Sequence, residues 1–360
     1  MNFDNNSAVI NEILDLTAAS TTSAAPSAAP SAALIVSKPL TTLEFEATDN
    51  IALGEDGLRD VKTAEELCRR SGLGWTVSKE PLVTSGGTPV ADHFALVRSD
   101  TGEALDVVGK SYIPVQNNEA LSMLDGLIAA GAQPVGAGSF KGGRITFAQV
   151  DVGVGRAVGG SSKDRVDPFV MIRNGHGVGS LIARWNSVRI VCRNTLQHSS
   201  SAGQLLTRIR HTKGVEMKME DAKKVLNALR DEGEKLLSVY DFLAMREVTQ
   251  AEVQSILATV YPDADPSQKK ANEARAEERA MIAGFINGAG MGAGWAGQTA
   301  WGVVNGITQF EDHVHGQTAK TADTRLESML SGAISNKKST GFETVVEMLG
   351  LQSDVRRILS

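Results

Sequence analysis

Two apolar runs joined by a glycine-rich turn lie near the middle of the chain, at Phe169-Val-Met-Ile-Arg-Asn-Gly-His-Gly-Val-Gly-Ser-Leu-Ile-Ala-Arg184. Such runs are typical of a β-hairpin, because Asn and Gly tolerate the positive backbone angles of tight turns. Two further hairpins are predicted around Asp100-Thr-Gly102 and Lys141-Gly-Gly143. Asn118 to Ala130 has the apolar spacing of an amphipathic helix. We therefore predict an α+β fold, in which a curved antiparallel sheet of hairpins carries helices on one face.

The chain changes character on either side of this predicted sheet. Residues 1–40 form a tail rich in Ala, Ser and Pro, which cannot build a core and is expected to be a disordered linker. The α+β domain is assigned to residues 41–213. From Val215 to Leu243 apolar residues recur every three or four positions, which predicts one long helix. Residues 214–360 as a whole are predicted to form a mainly helical domain.

Composition narrows the classes of protein that remain. Hydrophobic residues make up 42% of the chain and charged residues 22%, which is ordinary for a globular protein. No apolar stretch approaches the roughly 18 residues of a membrane-spanning helix, and no basic segment precedes an apolar run at the start of the chain. The two cysteines, Cys68 and Cys192, are far apart, which favours a reducing compartment. We expect an intracellular protein without a membrane partner.

Charge is distributed unevenly along the chain. The net charge is −6 overall, yet the segment from Gly138 to Lys213 holds twelve Lys or Arg and three Asp, a net charge of +9. Nine of the twelve are arginine, whose planar guanidinium matches the geometry of phosphate oxygens. This asymmetry predicts a binding surface for an anionic partner within one segment.

Two glycine turns and two arginine clusters make up the predicted binding surface. Glycine beside a cation lets backbone N–H groups approach a phosphate closely. Trp185-Asn-Ser187 is interpreted as a break after the third hairpin, so that Arg189 and Arg193 share a face beyond it. The residues expected to bind nucleic acid are Lys141, Arg144, Arg173, Arg184, Arg189, Arg193, Arg208, Arg210 and Lys213. Few aromatic residues interleave with them, so we expect contacts to phosphates without sequence readout.

Sequence patterns typical of catalytic sites are weaker than the clustering of basic residues. No Gly-x-Ser-x-Gly motif surrounds Ser180, and Cys192 has mostly apolar neighbours, so no catalytic residue is assigned. The glycine run Gly288 to Gly294 lacks the context of a nucleotide-binding loop and is interpreted as a joint between helices. Polar residues between Gln298 and His315 recur every three or four positions. This spacing predicts a helix with a polar face, a solvated end and a half-buried Trp301. We assign no metal and no cofactor.

Four stretches of the chain match the motifs of a known family in order. They are Asp106-Val-Val-Gly-Lys-Ser-Tyr-Ile-Pro-Val-Gln116, Arg184-Trp-Asn-Ser-Val-Arg-Ile-Val-Cys-Arg-Asn-Thr-Leu196, Arg208-Ile-Arg-His-Thr212 and Trp301-Gly-Val-Val-Asn-Gly-Ile-Thr308 with Asp312-His313. They resemble the phage- and plasmid-like "domain of unknown function 932" family, and the resemblance covers roughly Leu40 to Leu351. The resemblance implies a setting in phages, plasmids and mobile elements, in a bacterial host, and no particular activity.

These observations lead to three hypotheses. The first is a non-enzymatic, homo-oligomeric protein that binds and anneals single-stranded DNA in recombination or replication, by analogy with annealing proteins of the Red-beta and Erf type. The second is a metal-dependent enzyme of nucleic-acid or nucleotide metabolism whose site is lined by Trp301 to His315. The third is a structural or regulatory protein whose arginines bind an acidic protein surface.

Overall fold

The computed structural model describes residues 51–53, 58, 60–160, 164–189, 194–196, 205–226, 230–290, 296–315, 324, 328 and 332–359. The predicted tail over residues 1–40, together with Cys192 and Arg193, lies outside them. The strands are β1 (Ile51–Leu53), β2 (Val77–Val83), β3 (Pro89–Arg98), β4 (Ala104–Gly109), β5 (Gln133–Phe140), β6 (Ile145–Asp151), β7 (Arg156–Ala157), β8 (Arg165–Gly175), β9 (Leu181–Arg189), β10 (Asn194–Leu196) and β11 (Leu205–Ile209).

The helices alternate with the strands early in the chain and follow one another after β11. They are α1 (Ala64–Arg70), α2 (Asn117–Leu121), α3 (Asp125–Ala129), α4 (Val215–Leu226), α5 (Arg230–Met245), α6 (Gln250–Val260), α7 (Lys269–Gly284), α8 (Ala300–Gln309), α9 (Ala333–Met348) and α10 (Gln352–Leu359). A 3-10 turn at Ser122–Leu124 separates α2 from α3, so the single helix predicted there is interrupted. Segments of π-helix, Phe285–Ala289 and Phe310–Val314, continue α7 and α8.

The strands form two antiparallel sheets. The larger has eight strands in the order β1-β5-β6-β8-β9-β10, with β7 paired to β8 and β11 paired to β9. The smaller has the order β2-β3-β4. The predicted fold class is therefore confirmed: a mixed protein with antiparallel sheets and a helical C-terminal region.

The three predicted hairpins are present, but the predicted break after the third is wrong. Strand β9 runs without interruption through Trp185-Asn-Ser187 to Arg189, pairing Trp185 with Val170 and Ser187 with Pro168. Trp185 is favourable in a strand because its ring is buried in the core beneath the sheet. Pro168 has no N–H to donate to this pairing, yet the register is kept on both sides of it.

The larger sheet has one face in the main hydrophobic core. Paired residues of neighbouring strands project from the same face, as Val150, Val170 and Trp185 do on β6, β8 and β9. These residues belong to a core that extends from Leu58 to Val355. The opposite face carries a separate small apolar cluster of Phe140, Ile145, Phe147 and Met171. Alternation along each strand therefore separates two different environments.

The long helix predicted from Val215 to Leu243 is described as α4 and α5. Its apolar seam packs within the chain, since Val215, Tyr240 and Leu243 are all buried. Gly233, the glycine in this seam, lies so close to β9 that a Cβ atom there would be 3.3 Å from the Trp185 ring. The glycine thus allows helix α5 to pack directly on the sheet. Within the described residues, no helix is long and apolar enough to cross a bilayer.

Every residue of helix α8 is buried, so the prediction of a half-buried Trp301 is wrong. Trp301 is fully buried, and its Nε1 donates to Asp164 at 3.1 Å, which ties the helix to the segment before β8. In the π-helical continuation, Asp312 forms an ion pair with Lys338 of α9 at 2.7 Å, with both side chains inaccessible to solvent. The neighbouring Glu311 accepts a hydrogen bond from Tyr261 at 2.8 Å. The polar positions on this helix therefore bind other buried polar groups.

The buried pair of Asp312 and Lys338 gives a test of this packing. Replacing Lys338 by Met leaves a buried carboxylate without its ammonium partner, so we expect the free energy of unfolding to fall by about 3–5 kcal/mol. Replacing both residues, with Asp312→Leu and Lys338→Met, should restore most of that loss, because no unpaired charge remains. Urea unfolding followed by circular dichroism measures both values. A single variant as stable as the parent would contradict the role assigned to the pair.

Candidate nucleic-acid interface

Strand register brings most of the predicted binding residues to one end of the larger sheet. The β5–β6 turn and the β8–β9 turn lie at the same end, because Ile145 pairs with Gly175. Strand β11 also ends there, since Ile209 pairs with Leu181 at the start of β9. We call this end, with its seven basic residues, the basic end. They are Lys141, Arg144, Arg173, Arg184, Arg208, Arg210 and Lys213.

Three of these residues form a row across adjacent strands. Arg173 of β8 and Arg208 of β11 are both paired with Ile182, on opposite sides of β9. Arg184 is two residues further along β9, so all three side chains project from the same face. Their exposure increases outward: Arg173 is 8% exposed, Arg184 is half-buried and Arg208 is exposed. Because β9 pairs with β8 on one side and with β11 on the other, the sheet brings arginines from distant parts of the sequence together.

The electrostatic environment of Arg184 reflects this clustering. Burial lowers the pKa of its guanidinium, and the positive charges of Arg173 and Arg208 lower it further. Its Nη1 donates to the hydroxyl of Ser335 in the first turn of α9, at 3.3 Å. One turn further along α9, the pKa of Lys338 is lowered by burial, and Arg184 contributes to that lowering against the opposing effect of Asp312. Cationic groups from the sheet and from α9 therefore lie within electrostatic reach of one another.

The other basic residues of the basic end differ in their ion pairs and in their exposure to solvent. Arg144 forms an ion pair with Asp106 of β4 at 2.7 Å, so part of its charge is already balanced. Lys141 is exposed in the β5–β6 turn and has a positive φ of 56°. Arg210 and Lys213 are exposed in the segment that leads from β11 into α4. The exposed cations thus lie in turns and connections at the same end of the sheet as the three arginines on β8, β9 and β11.

Arg189 lies at the other end of β9 from the basic end, and Arg193 lies outside the described residues. Arg189 ends β9 and is seven residues from Ile182, about 23 Å along the strand. Its backbone pairs with Asn194 of β10, so β9 and β10 form a hairpin, and Arg193 lies in the connection outside the described residues. The predicted arrangement of Arg189 with Arg193 stays a prediction, because Arg193 lies outside the described residues.

The aromatic residues of this segment are not available as a stacking platform. Phe140, Phe147 and Phe169 are buried on the arginine-bearing face. Trp185 projects from the opposite face into the main core. Since bases stack on exposed rings, these rings offer no such contact in the structure as described.

A buried aromatic and histidine cluster lies beneath the basic end and was not predicted from the sequence. The Tyr112 hydroxyl donates to the carbonyl of Gly175 and accepts from the N–H of Gly177, at 3.2 and 3.0 Å. The same ring stacks on His211, with centroids 5.1 Å apart. Tyr112 therefore connects the β8–β9 turn to the segment that carries Arg210 and Lys213.

His176, in the β8–β9 turn, is the most deeply buried member of this cluster. Its Nε2 is 2.9 Å from Oδ1 of Asn117, and its ring is 5.3 Å from that of Trp75. The Asn117 amide nitrogen donates to two backbone carbonyls, so Oδ1 is the acceptor and we assign the proton to Nε2. Burial lowers the pKa of His176 to about 3, and His211 and Arg98 reinforce the shift. The imidazole is therefore neutral at physiological pH.

The sequence contains only a weak signal for this cluster. A histidine between two glycines of a turn is usually exposed, and Tyr112 follows a short strand by three residues. The hydrogen bonds that Tyr112 and His176 make depend on how the smaller sheet lies against the β8–β9 turn. The local periodicity of the sequence does not specify that arrangement. Among the described residues, no group of three or more His, Cys, Asp or Glu side chains is arranged to hold a metal ion.

The neutral His176 makes stability depend on pH in a defined direction. Its folded pKa of about 3 is below the ordinary value of 6.5, so the unfolded chain binds more protons between these values and acid favours unfolding. The stabilisation is complete above pH 6.5 and is lost as pH falls towards 3. From neutral pH to about pH 5 this one group accounts for about 2 kcal/mol of lost stability.

Urea unfolding at neutral pH and near pH 5 tests this dependence. The variant His176→Gln should lose about 2 kcal/mol less than the parent protein over that interval. His93→Gln, at an exposed histidine of β3, is the matched control and should lose as much as the parent. An unchanged pH dependence in His176→Gln would show that another group is responsible.

Comparison with known proteins gives one assignment. The family model described as "Domain of unknown function (DUF932)" matches residues 104–333, from the start of β4 to the start of α9. A search of curated proteins and a search of solved structures each found no match. The matched segment includes the whole basic end and the buried helix α8, and it spans more than half of the chain. The chain therefore belongs to the DUF932 family.

Proposed function

We propose that this protein binds the sugar–phosphate backbone of single-stranded DNA at the basic end of its larger sheet. The observation that carries this proposal is the row of Arg173, Arg184 and Arg208, which three adjacent strands hold on one face. Arginine forms paired, charge-assisted hydrogen bonds with phosphate oxygens. The exposed Lys141, Arg210 and Lys213 extend the positive surface on either side.

The character of the surface favours phosphate contacts over base contacts. The phenylalanines on the arginine-bearing face are buried, and the exposed side chains of the basic end that we assign to binding are cationic. Binding of this kind gives affinity that depends on salt and is largely independent of base sequence. A protein that pairs or protects many different strands needs this property.

The biological setting of the proposal comes from the family resemblance. Phages and plasmids encode proteins that anneal single strands during recombination or replication, and we place this chain among them as a non-enzymatic protein of the bacterial cytoplasm. Annealing requires two strands to be held near each other, so we propose that the active form is a homo-oligomer. The comparison with annealing proteins of the Red-beta and Erf type is an analogy of sheet, helix and basic groove.

Fluorescence anisotropy with a labelled single-stranded oligonucleotide across a salt series tests the proposal. We expect the logarithm of affinity to fall linearly with the logarithm of salt concentration, as counterions are released from phosphates. Replacing the exposed Arg208 and Lys213 by Ala should weaken binding by about tenfold or more at low salt. The slope of the salt plot should decrease in magnitude by about 1.4, the value for two lost contacts to a single strand.

The matched control removes the same two side-chain types elsewhere on the surface. Arg356 of α10 and Lys269 of α7 are both exposed, and replacing them by Ala changes net charge equally. That variant should bind like the parent. An equal loss of affinity in both double variants would indicate a general charge effect. If the parent protein does not bind the oligonucleotide at low salt, the proposal is overturned in favour of another anionic partner, such as an acidic protein.

A further inference from the structure

The β5–β6 turn, which carries the exposed Lys141, has an unusual backbone conformation. Three successive residues have positive φ angles: Lys141 at 56°, Gly142 at 65° and Gly143 at 94°. Such angles are strained for lysine, and they are one choice among many for glycine. Within the turn, the N–H of Arg144 donates to the carbonyl of Lys141 at 3.2 Å. A turn of this composition keeps a single conformation only when contacts from outside support it.

Arg98, at the end of β3 in the smaller sheet, makes such contacts. Its Nη1 donates to the carbonyl oxygen of Gly142 at 3.1 Å. Gly143 lies against the same guanidinium, and a Cβ atom at this position would be 2.8 Å from Nη1. The absence of a side chain at Gly143 therefore allows the guanidinium to approach the middle of the turn.

Arg98 is itself held in a fixed position. Its Nε and Nη2 donate to the two carboxylate oxygens of Asp100, at 3.0 and 2.7 Å. The centre of its guanidinium lies 4.3 Å from the centroid of the Trp75 ring, and Arg98 is only 8% exposed. Its charge is thus balanced by Asp100 and its face is covered by an indole. This guanidinium supports the turn and is not placed to bind a phosphate itself.

Trp75 extends this support to the β8–β9 turn. Its ring is 5.3 Å from the ring of His176 in that turn. A Cβ atom at Gly143 would be 3.2 Å from the same indole, so Trp75 also contacts the β5–β6 turn. The N–H of His176 donates to the carbonyl of Arg144 at 2.7 Å. The two glycine turns of the basic end are therefore attached to each other and to Arg98.

We infer that Arg98 is a positioning residue for nucleic-acid binding at the basic end. It fixes the β5–β6 turn, so that Lys141 has a defined position relative to the row of Arg173, Arg184 and Arg208. This inference rests on the proposed function and adds to it a residue that does not contact the strand. A turn that is ordered before binding avoids the entropy cost of ordering glycines when the strand arrives.

The variant Arg98→Lys tests this role in the full chain. Lysine keeps the positive charge but loses the fork on Asp100 and the stacking on Trp75. Fluorescence anisotropy with a labelled single-stranded oligonucleotide should show affinity about five- to tenfold lower than that of the parent at low salt. The slope of the salt plot should decrease in magnitude by about 0.7, the value for one lost contact to a single strand.

A double-mutant cycle with Lys141 separates positioning from a general structural effect. Lys141→Ala alone should reproduce the loss of affinity and the change in slope. Adding Arg98→Lys to Lys141→Ala should cause no further loss, because the contact that Arg98 positions is already absent. Losses that multiply in the double variant would overturn the inference, since Arg98 would then act independently of Lys141.

The matched control is an arginine with the same kind of contacts elsewhere in the chain. Arg279 of α7 donates to the carbonyl of Tyr261 at 2.8 Å and to Asp263 at 2.7 Å. Arg279→Lys should keep the affinity and the salt slope of the parent. Thermal unfolding by circular dichroism checks that both variants are folded. Amide hydrogen exchange without DNA should be faster across residues 141–144 in Arg98→Lys only.

The outcomes separate this inference from the proposed function. If the parent binds the oligonucleotide and Arg98→Lys binds it with the same affinity and slope, positioning by Arg98 is overturned and backbone binding remains. A change in thermal stability with an unchanged slope has the same meaning. If the parent does not bind the oligonucleotide, the proposed function is overturned, and the role of Arg98 in binding is overturned with it. The parent protein alone decides this last outcome.

Discussion

The register between β8 and β9 is the constraint on which the rest of this structure depends. Pairing Arg173 with Ile182 places every second residue of both strands on the core face and the others on the arginine-bearing face. A shift of one residue would move Val170, Ile172 and Trp185 out of the core and bring arginines into it. The free energy of burying those apolar residues therefore also fixes where the arginines lie. Core packing and the proposed binding surface follow from the same set of backbone hydrogen bonds.

The remaining elements hold the turn end of this hairpin in place. Tyr112 bonds the backbone of the β8–β9 turn and stacks on His211, and His176 reaches inward to Asn117. These contacts connect segments that are about 60 residues apart or more in sequence. The basic residues at this end are consequently attached to a neutral, buried polar cluster. Contacts of this kind limit the backbone motion of the turn, which would reduce the entropy lost in the proposed binding of an anion.

Sequence reasoning predicted the hairpins because alternation and glycine turns are local properties, and it located the basic segment because charge is counted directly. It was wrong at Trp185-Asn-Ser187, where a turn-like composition was read as a break and the burial of Trp185 in the core outweighed it. It was also wrong for α8, whose polar positions have helical spacing but bind Asp164, Lys338 and Tyr261, from segments far away in the chain. Periodicity shows which residues share a face, and it does not show what that face meets. The contacts of His176 and Tyr112 were missed for the same reason.

Buried charge lies in two neighbouring places, between α8 and α9 and around Arg184 of β9. Between α8 and α9, buried charge is matched within the chain, since Asp312 lies against Lys338 and Glu311 binds Tyr261. Around Arg184, burial and the positive charges of Arg173 and Arg208 all lower the pKa of the guanidinium. Arginines that serve only solubility can be exposed and far from one another, where they keep their hydration at no cost to folding. The placement of these three arginines on adjacent strands, with Arg173 8% exposed, supports the proposal of an anionic partner at this end of the sheet.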